Sequence, residues 1–171
     1  CGLPPPTELD RGRIAALNGF GTFDMVLRGK YPASFVSNLA FSPKSYTART
    51  FKNPPSLGLV LSYAEEQVRK LVSPGANGRA SARAVAAMYN SILSAGRGDD
   101  GHVAFTEATI EELCVTAEPL WDEVLRTESA FSHGFCKPAE GFYRFGSSDK
   151  AFGTPGVGGQ QGFADPDADV S

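Results

Sequence analysis

The sequence has few cysteines and histidines, and neither type occurs in a pattern that binds metal. Its three cysteines, Cys1, Cys114 and Cys136, form no C-x-x-C pair, so they predict neither a disulfide framework nor a zinc site. Only two histidines are present among 171 residues. We therefore predict a protein without a bound metal ion or other cofactor.

Long apolar runs and an excess of positive charge are also missing. No apolar stretch approaches the roughly 18 residues that a membrane-spanning helix requires. The formal net charge of −3 gives no reason to expect nucleic-acid binding. No basic segment followed by an apolar one forms a leader, although Cys1 followed by Gly2 is also what the mature end of a lipoprotein looks like. The sequence thus predicts neither a membrane span nor a nucleic-acid partner, and it leaves a lipid-anchored Cys1 open.

The residues that are present suit one soluble globular domain. A hydrophobic share of 42% with 20% charged residues is ordinary for such a chain, and 171 residues fill a single core. Frequent proline and glycine predict a loop-rich segment in residues 1–60, whereas 61–125 is mainly helical and 130–171 consists of strands. Helices followed by antiparallel strands indicate an α+β fold.

Two segments have the caps and the apolar spacing of amphipathic helices. Residues 106–118 begin at the predicted N-cap Thr106 and end before Pro119. Residues 81–96 begin at the predicted N-cap Ser81. The predicted core-facing stripe of this second helix consists of Val85, Met88, Tyr89, Ile92 and Leu93.

From residue 130 onward the apolar period changes from helical to two. Phe131, His133 and Phe135 alternate along one predicted strand, and "GFYRFG" (141–146) follows it. We expect neighbouring antiparallel strands here. On such a strand His133 is expected to be a sheet residue with a satisfied ring rather than a general base.

A glycine-rich segment, "FGTPGVGGQQGFADPDA" (152–168), comes next. It resembles the segment F-G-H-P-G-x-G-G-x-x-G-F-A-D-P of the serine β-lactamase-related hydrolases, the family of class C β-lactamases, penicillin-binding proteins, DD-peptidases and many esterases. Residues 39–56, 74–92 and 132–138 resemble three further family stretches in the same order. The resemblance therefore covers most of residues 39–166.

The resemblance implies a β-lactamase-like fold, in which helices pack on a mostly antiparallel sheet and the active site lies in the groove between them. Residues 152–157 would form the strand that edges this groove, on which the family carries a K-T-G or H-x-G triad. The substrate would lie against that strand like an added one. The positions that the resemblance assigns to substrate binding are Thr154, Pro155, Gly156, Val157 and Gly158.

The resemblance also implies a chemistry, namely attack on a small-molecule ester or amide. The N–H of Val157 would supply half of the oxyanion hole, and glycines beside it keep Cβ atoms away from the oxyanion. Thr154 stands where His or Lys is commoner, and its hydroxyl carries no positive charge for a substrate carboxylate. The expectation therefore shifts from carboxylate-bearing β-lactams toward neutral esters.

The catalytic elements of the family are missing from the sequence. In the family, S-x-x-K and Y-x-N elements lie upstream of the resembled region, but residues 1–38 contain neither. "SSDK", from Ser147 to Lys150, fits S-x-x-K by letter but precedes no predicted helix, and Tyr89 is directly followed by Asn90 within a predicted helix. The resemblance thus implies the C-terminal portion of a hydrolase domain, incomplete at both ends and inactive alone.

Two other classes of function stay open. A chain that keeps this scaffold without its chemistry would be a non-catalytic binding or structural remnant of the same fold. Alternatively, Asp99, Asp100 and His102 would contribute to a metal-dependent enzyme, although nothing in the sequence completes their ligand set.

Overall fold

The structure is a computed structural model, and it describes residues 31–53, 75, 78, 80–96, 105–140, 144–156 and 160–171. Within these residues the chain forms helices and one antiparallel sheet, which confirms the α+β class. In chain order the elements are α1 (Ala33–Phe41), α2 (Tyr46–Phe51), α3 (Ala82–Gly96), α4 (Glu107–Cys114), β1 (Leu120–Asp122), β2 (Thr127–Ser132), β3 (Phe135–Lys137), β4 (Phe152–Pro155) and β5 (Gln161–Ala164).

Helices α1 and α2 lie in the segment for which the sequence predicts loops. Ser45 caps α2, since its hydroxyl accepts a hydrogen bond from the Ala48 N–H at 3.1 Å. Thr47 is completely buried, and its hydroxyl donates to the Val124 carbonyl at 2.7 Å. The loop prediction is wrong for these helices, because Pro32 and Pro43 flank them and interrupt neither.

Helices α3 and α4 begin where the sequence predicts. The Ala84 N–H donates to the Ser81 hydroxyl, and the Thr109 N–H donates to the Thr106 hydroxyl, each at 3.2 Å. Each cap satisfies a backbone donor that has no partner within its helix. Both predicted N-caps are therefore confirmed.

The predicted apolar stripe of α3 is correct except at one residue. Tyr89, Ile92 and Leu93 are buried, and Val85 packs against them. Met88 is 48% exposed. It precedes Tyr89 by one position, about 100° around the helix, so it lies at the margin of the core-facing side.

Helix α4 ends at Cys114, earlier than the predicted end before Pro119. The Leu113 carbonyl accepts a hydrogen bond from the Nζ of Lys137 at 2.7 Å, and the Val115 N–H bonds back to Glu112 at 3.2 Å. A lysine from the sheet thus caps the last turn. The cap lies 24 residues away in sequence, which local patterning does not reveal.

The strands form a five-stranded antiparallel sheet in chain order, β1-β2-β3-β4-β5. Strand β1 falls inside the segment predicted to be helical. Between β2 and β3 the chain turns at His133 and Gly134, whose φ angles are 49° and 83°. Two residues with positive φ form the tight turn that suits a hairpin.

Helices α3 and α4 pack on one face of the sheet. The buried residues of this main core are Tyr89, Ile92, Leu93, Leu113, Phe152 and Ala164. Neighbouring strand residues point to opposite faces, and a second cluster contains Cys136, Phe145 and Ala151, with Phe163 packed against it. None of the helices that the structure describes is long and apolar enough to cross a bilayer.

Candidate functional site

Strand β4 carries the first residues of the predicted substrate-binding segment. Phe152 and Gly153 are buried, whereas Thr154 is exposed and Pro155 is half-buried. Gly156, which follows the strand, is exposed as well. The strand therefore leaves the core at Thr154, and its last residues are accessible to a small molecule.

Two of the predicted site residues, Val157 and Gly158, lie outside the described residues. Their assignment to the oxyanion hole and to substrate contact stays a prediction. The residue just before them is informative, because the Gly156 N–H donates to the Gln160 carbonyl at 2.7 Å. This donor is already used within the β4–β5 hairpin.

The two sides of β4 differ in their pairing. Toward β5 all four strand residues are paired, whereas the ladder toward β3 consists of the pair Cys136↔Gly153. The resemblance implies that β4 edges the substrate groove, and in the described sheet β4 lies between β3 and the edge strand β5. The antiparallel register Cys136↔Gly153 places Phe135, the first residue of β3, opposite Thr154.

A buried tyrosine lies beneath Thr154. Tyr89 is 3% exposed, and its ring centroid is 6.0 Å from that of Phe135 and 6.3 Å from that of Phe152. Thr154 pairs directly with Gly162, where a Cβ atom would lie 2.9 Å from Cε2 of the tyrosine ring. Glycine is therefore needed at position 162 so that α3 can approach the strand. The prediction that Tyr89 is a core residue rather than a catalytic one agrees with this burial.

The opposite end of the β4–β5 hairpin is held by a buried carboxylate. The Oδ2 atom of Asp165 accepts hydrogen bonds from the N–H and the hydroxyl of Ser147 at 2.6 and 2.9 Å, and from the Ser148 N–H at 3.1 Å. Its Oδ1 atom accepts from the Ser148 hydroxyl at 2.7 Å. Burial alone would raise the pKa of Asp165, but these hydrogen bonds together hold it well below its usual range.

The serine and the lysine of "SSDK" have separate partners. Ser147 donates its hydroxyl to Asp165, whereas Lys150 forms an ion pair with Asp167 at 2.9 Å. Its hydrogen bond with Asp167 raises the pKa of Lys150. The lysine therefore stays charged, and a charged ammonium group cannot remove the proton of a serine nucleophile. These four letters do not form a serine–lysine pair.

Lys137 is a buried cation that the sequence reasoning missed. It is 1% exposed, and its Nζ donates to the carbonyls of Leu113 and Lys150 at 2.7 and 3.1 Å. The ammonium group lies 5.7 Å from the centre of the Phe152 ring. Burial lowers the pKa of this lysine. The alternation of side chains along a strand could have revealed this burial, because it places Lys137 on the same face of β3 as Phe135.

His133 lies in the β2–β3 turn, so the prediction of a sheet histidine is wrong. The dipeptide His133–Gly134 forms the turn itself, and this turn ends the predicted alternation. The His133 Nδ1 atom is 2.7 Å from the Ser132 hydroxyl, and its Nε2 atom is 4.0 Å from a Glu112 carboxylate oxygen. The His133 and Glu112 side chains are 47% and 68% exposed. Both side chains are therefore largely exposed, and a 4.0 Å separation does not orient the ring.

A groove of 510 Å³ opens at the Asp165 end of the hairpin. Cys114 on α4 forms part of its wall together with Lys150 and Asp167. Lys150 belongs to the loop before β4, and Asp167 belongs to the turn after β5. The groove is therefore at the opposite end of the hairpin from Thr154.

No three His, Cys, Asp or Glu side chains within the described ranges are grouped so that they could hold a metal ion. Asp99, Asp100 and His102, the predicted weak metal ligands, lie outside those ranges, as does Cys1. Cys114 and Cys136 are free thiols, and burial raises the pKa of Cys136 to about 11.

Comparison with known proteins gives a match to a solved structure. The chain is similar to a penicillin-binding protein homologue from Caulobacter crescentus, with a TM-score of 0.52 and 34% sequence identity. The match covers 62% of this chain and 28% of that protein. No protein-family model and no curated protein matched the sequence. The chain thus has an α+β fold of the penicillin-binding-protein type, which supports the predicted relation to the serine β-lactamase-related proteins.

Proposed function

We propose that this chain is the C-terminal part of a serine β-lactamase-like hydrolase or esterase and forms one wall of its substrate groove. The emergence of β4 from the core at Thr154 is the observation that carries this proposal. Thr154, Pro155 and Gly156 are the residues that would face the substrate, with Gly158 beyond them. Their accessibility, next to a strand that is otherwise buried, suits a groove wall.

Backbone donors near this wall support Val157 as the oxyanion-hole residue. The Gly156 N–H is already bonded to Gln160, and Pro155 has no N–H. The next N–H along the chain belongs to Val157, which is the residue that the family resemblance assigns to this role. It would provide one of the two donors that stabilise a tetrahedral oxyanion.

The nucleophile would be supplied by a polypeptide segment outside this sequence. Ser147 is bonded to Asp165 and Lys150 to Asp167, so neither is available for the other. The chain spans 28% of the penicillin-binding protein homologue that it matches, which leaves room for the S-x-x-K and Y-x-N elements elsewhere in a related protein. We therefore expect the 171-residue chain alone to be inactive.

The substrate class follows from the neutral side chain at position 154. A threonine hydroxyl offers a single hydrogen bond and no positive charge, so it can donate to a neutral carbonyl oxygen but lacks the charge-assisted bond that a lysine makes to a carboxylate. We propose a small ester or amide as the substrate, with neutral esters preferred over carboxylate-bearing β-lactams.

The test compares the 171-residue chain with the longer product of its own gene. Both are incubated with a fluorescent penicillin and with p-nitrophenyl butyrate, and Ser147→Ala serves as the control variant. We expect no label or turnover on the short chain, and ester turnover on a product that carries S-x-x-K upstream. Turnover by the short chain that is lost in Ser147→Ala would contradict the proposal. If the longer product carries no S-x-x-K and binds neither probe, the non-catalytic remnant is correct instead.

A further inference from the structure

Helices α1 and α2 form an antiparallel pair whose connection is fixed by hydrogen bonds. The Phe35 and Phe51 rings are 5.5 Å apart, so the beginning of α1 lies against the end of α2. At the other end of the pair, the Ser45 hydroxyl donates to the Ser42 carbonyl at 2.7 Å, and the Asn38 carbonyl lies 3.2 Å from it. These contacts hold the N-cap of α2 against the last turn of α1.

Aromatic and basic side chains alternate on the outside of this connection. Phe41, the last residue of α1, is 82% exposed, and Tyr46, the first residue of α2, is 62% exposed. The exposed Lys44 lies between them in sequence, and the exposed Arg49 follows Tyr46 by three positions, on the same side of α2. Thr47 lies on the buried side of that helix. The exposed residues Phe41, Lys44, Tyr46 and Arg49 together make up the α1–α2 corner.

The charge around the α1–α2 corner has a single sign. The described segment that contains both helices has no carboxylate side chain and three basic ones, those of Lys44, Arg49 and Lys52. The turn after β1, which α2 contacts, contains two carboxylates, but both have partners. Asp122 accepts hydrogen bonds from backbone N–H groups of that turn, and Glu123 forms an ion pair with an arginine there. Within the described residues no carboxylate therefore neutralises the three cations.

We propose that the α1–α2 corner docks the protein on a membrane surface that contains anionic phospholipid. Phe41 and Tyr46 enter the headgroup region, where aromatic rings are favourable, while Lys44 and Arg49 bind lipid phosphates. A protein partner that buried this surface would have to supply a carboxylate for each cation, because an unpaired charge is costly to bury. The docking uses no residue of the Thr154 segment and is independent of the proposed hydrolase function.

The first test measures sedimentation of the 171-residue chain and of the longer gene product with vesicles. Both proteins should bind vesicles of equal parts phosphatidylglycerol and phosphatidylcholine, and should bind pure phosphatidylcholine roughly tenfold more weakly or less. Added salt should weaken the binding, because it screens surface charge. Equal binding to the two vesicle types overturns the proposal. Failure of either protein to bind also overturns it, and failure of the longer product alone would show that another part of that protein covers the corner.

Matched substitutions locate the binding surface. Phe41→Ala should weaken binding to the anionic vesicles roughly tenfold, and Lys44→Gln about fivefold. Both side chains are exposed, so neither substitution should unfold the protein. Phe131→Ala and Arg144→Gln are the controls, because each removes an exposed ring or an exposed cation outside the corner, and both should bind as the unsubstituted chain does. Equal losses in the controls and in the corner variants overturn the proposal.

Tryptophan fluorescence tests whether the corner enters the lipid. The sequence has one tryptophan, Trp121, which is 53% exposed on β1. Phe41→Trp in a Trp121→Phe background should give blue-shifted emission and quenching by brominated phosphatidylcholine on binding, whereas the unsubstituted chain should give neither. Equal quenching in the two proteins overturns the proposal. Binding of a fluorescent single-stranded oligonucleotide without binding of vesicles also overturns it and would assign the corner to nucleic acid.

Discussion

The two ends of the β4–β5 hairpin are built in opposite ways. At one end Asp165 is completely buried, and the backbone and side chains of Ser147 and Ser148 surround its carboxylate. At the other end Thr154 and Gly156 are exposed. Core packing joins the two ends, since Phe152 is buried against α3 and α4.

One end of the hairpin is thus fixed in the core, whereas the other end is exposed to solvent. A fixed strand end needs satisfied polar groups and packing at its base, whereas a binding surface needs polar groups that are still available. Substitutions at the Asp165 end and in the middle of β4 should therefore change the free energy of unfolding. Substitutions at the Thr154 end should change binding and leave the fold intact.

The largest effect is expected in the middle of the hairpin. Phe152→Ala removes a completely buried aromatic side chain and should lower the free energy of unfolding by about 3–5 kcal/mol. Urea denaturation followed by circular dichroism measures this loss. Phe131→Ala, at a phenylalanine that is 55% exposed on β2, is the matched control and should change stability by less than about 1 kcal/mol. Equal losses in both variants would show that β4 is not the core strand.

Asp165→Asn should be nearly as damaging, because the amide nitrogen cannot accept the hydrogen bonds made to the carboxylate. We expect a loss of about 3 kcal/mol at pH 7, measured in the same urea assay. The exposed Asp149→Asn is the control and should change little. A stable Asp165→Asn variant would contradict the anchoring role.

The Asp165 carboxylate also makes the free energy of unfolding depend on pH, and the direction follows from its lowered pKa. Hydrogen bonding lowers the pKa of Asp165 in the folded state, so the unfolded chain binds its proton first as the pH falls. The stabilisation is present above the usual aspartate pKa of about 4 and is lost as the pH drops below it. Urea midpoints between pH 7 and pH 2 should therefore fall more steeply for the unsubstituted protein than for Asp165→Asn. Parallel pH profiles would contradict this assignment.

Gly162→Ala should have an intermediate effect. The added Cβ atom would lie 2.6 Å from Cγ1 of Val85 and 2.9 Å from the Tyr89 ring, and such overpacking costs about 1–3 kcal/mol. Val85→Ala in the same chain should recover part of the loss, because it removes the nearer contact. Gly78→Ala is the control, because no atom lies within 4 Å of the Cβ atom that this substitution adds. An unchanged urea midpoint in Gly162→Ala would show that α3 does not pack closely against β5.

The smallest effect on stability is expected at the exposed end. Thr154→Val keeps the shape of the side chain and should change the free energy of unfolding by less than about 0.5 kcal/mol. The urea assay is again the measurement, beside the ester assay in which this variant should lose affinity. A loss of stability as large as that of Asp165→Asn would remove the distinction between the two ends.

Local sequence signals were reliable where short-range chemistry decides the structure. The hydroxyls at Ser81 and Thr106 cap α3 and α4 as predicted, because a cap bonds to a backbone N–H only three residues away. The dipeptide His133–Gly134 favours a turn, which the structure shows. The alternation of the aromatic residues around it predicts a continuous strand instead.

Long-range contacts account for what the sequence did not reveal. Helix α4 ends early because Lys137 bonds to its Leu113 carbonyl, and Thr47 joins α2 to the turn after β1. The pairing of β4 with β3 likewise spans the loop between Lys137 and Phe152. None of these contacts has a signature within a window of a few residues.

The sequence by itself determined the α+β class and the helix caps, because periodicity and capping are properties of neighbouring residues. Its resemblance to a known family indicated the candidate segment at Thr154. Only the tertiary structure decided which groups are already occupied. It paired Ser147 with Asp165 and Lys150 with Asp167, and it packed Tyr89 against Gly162, the residue paired with Thr154. The physical reason is that availability for chemistry depends on burial and hydrogen-bond partners, and packing supplies both from distant parts of the chain.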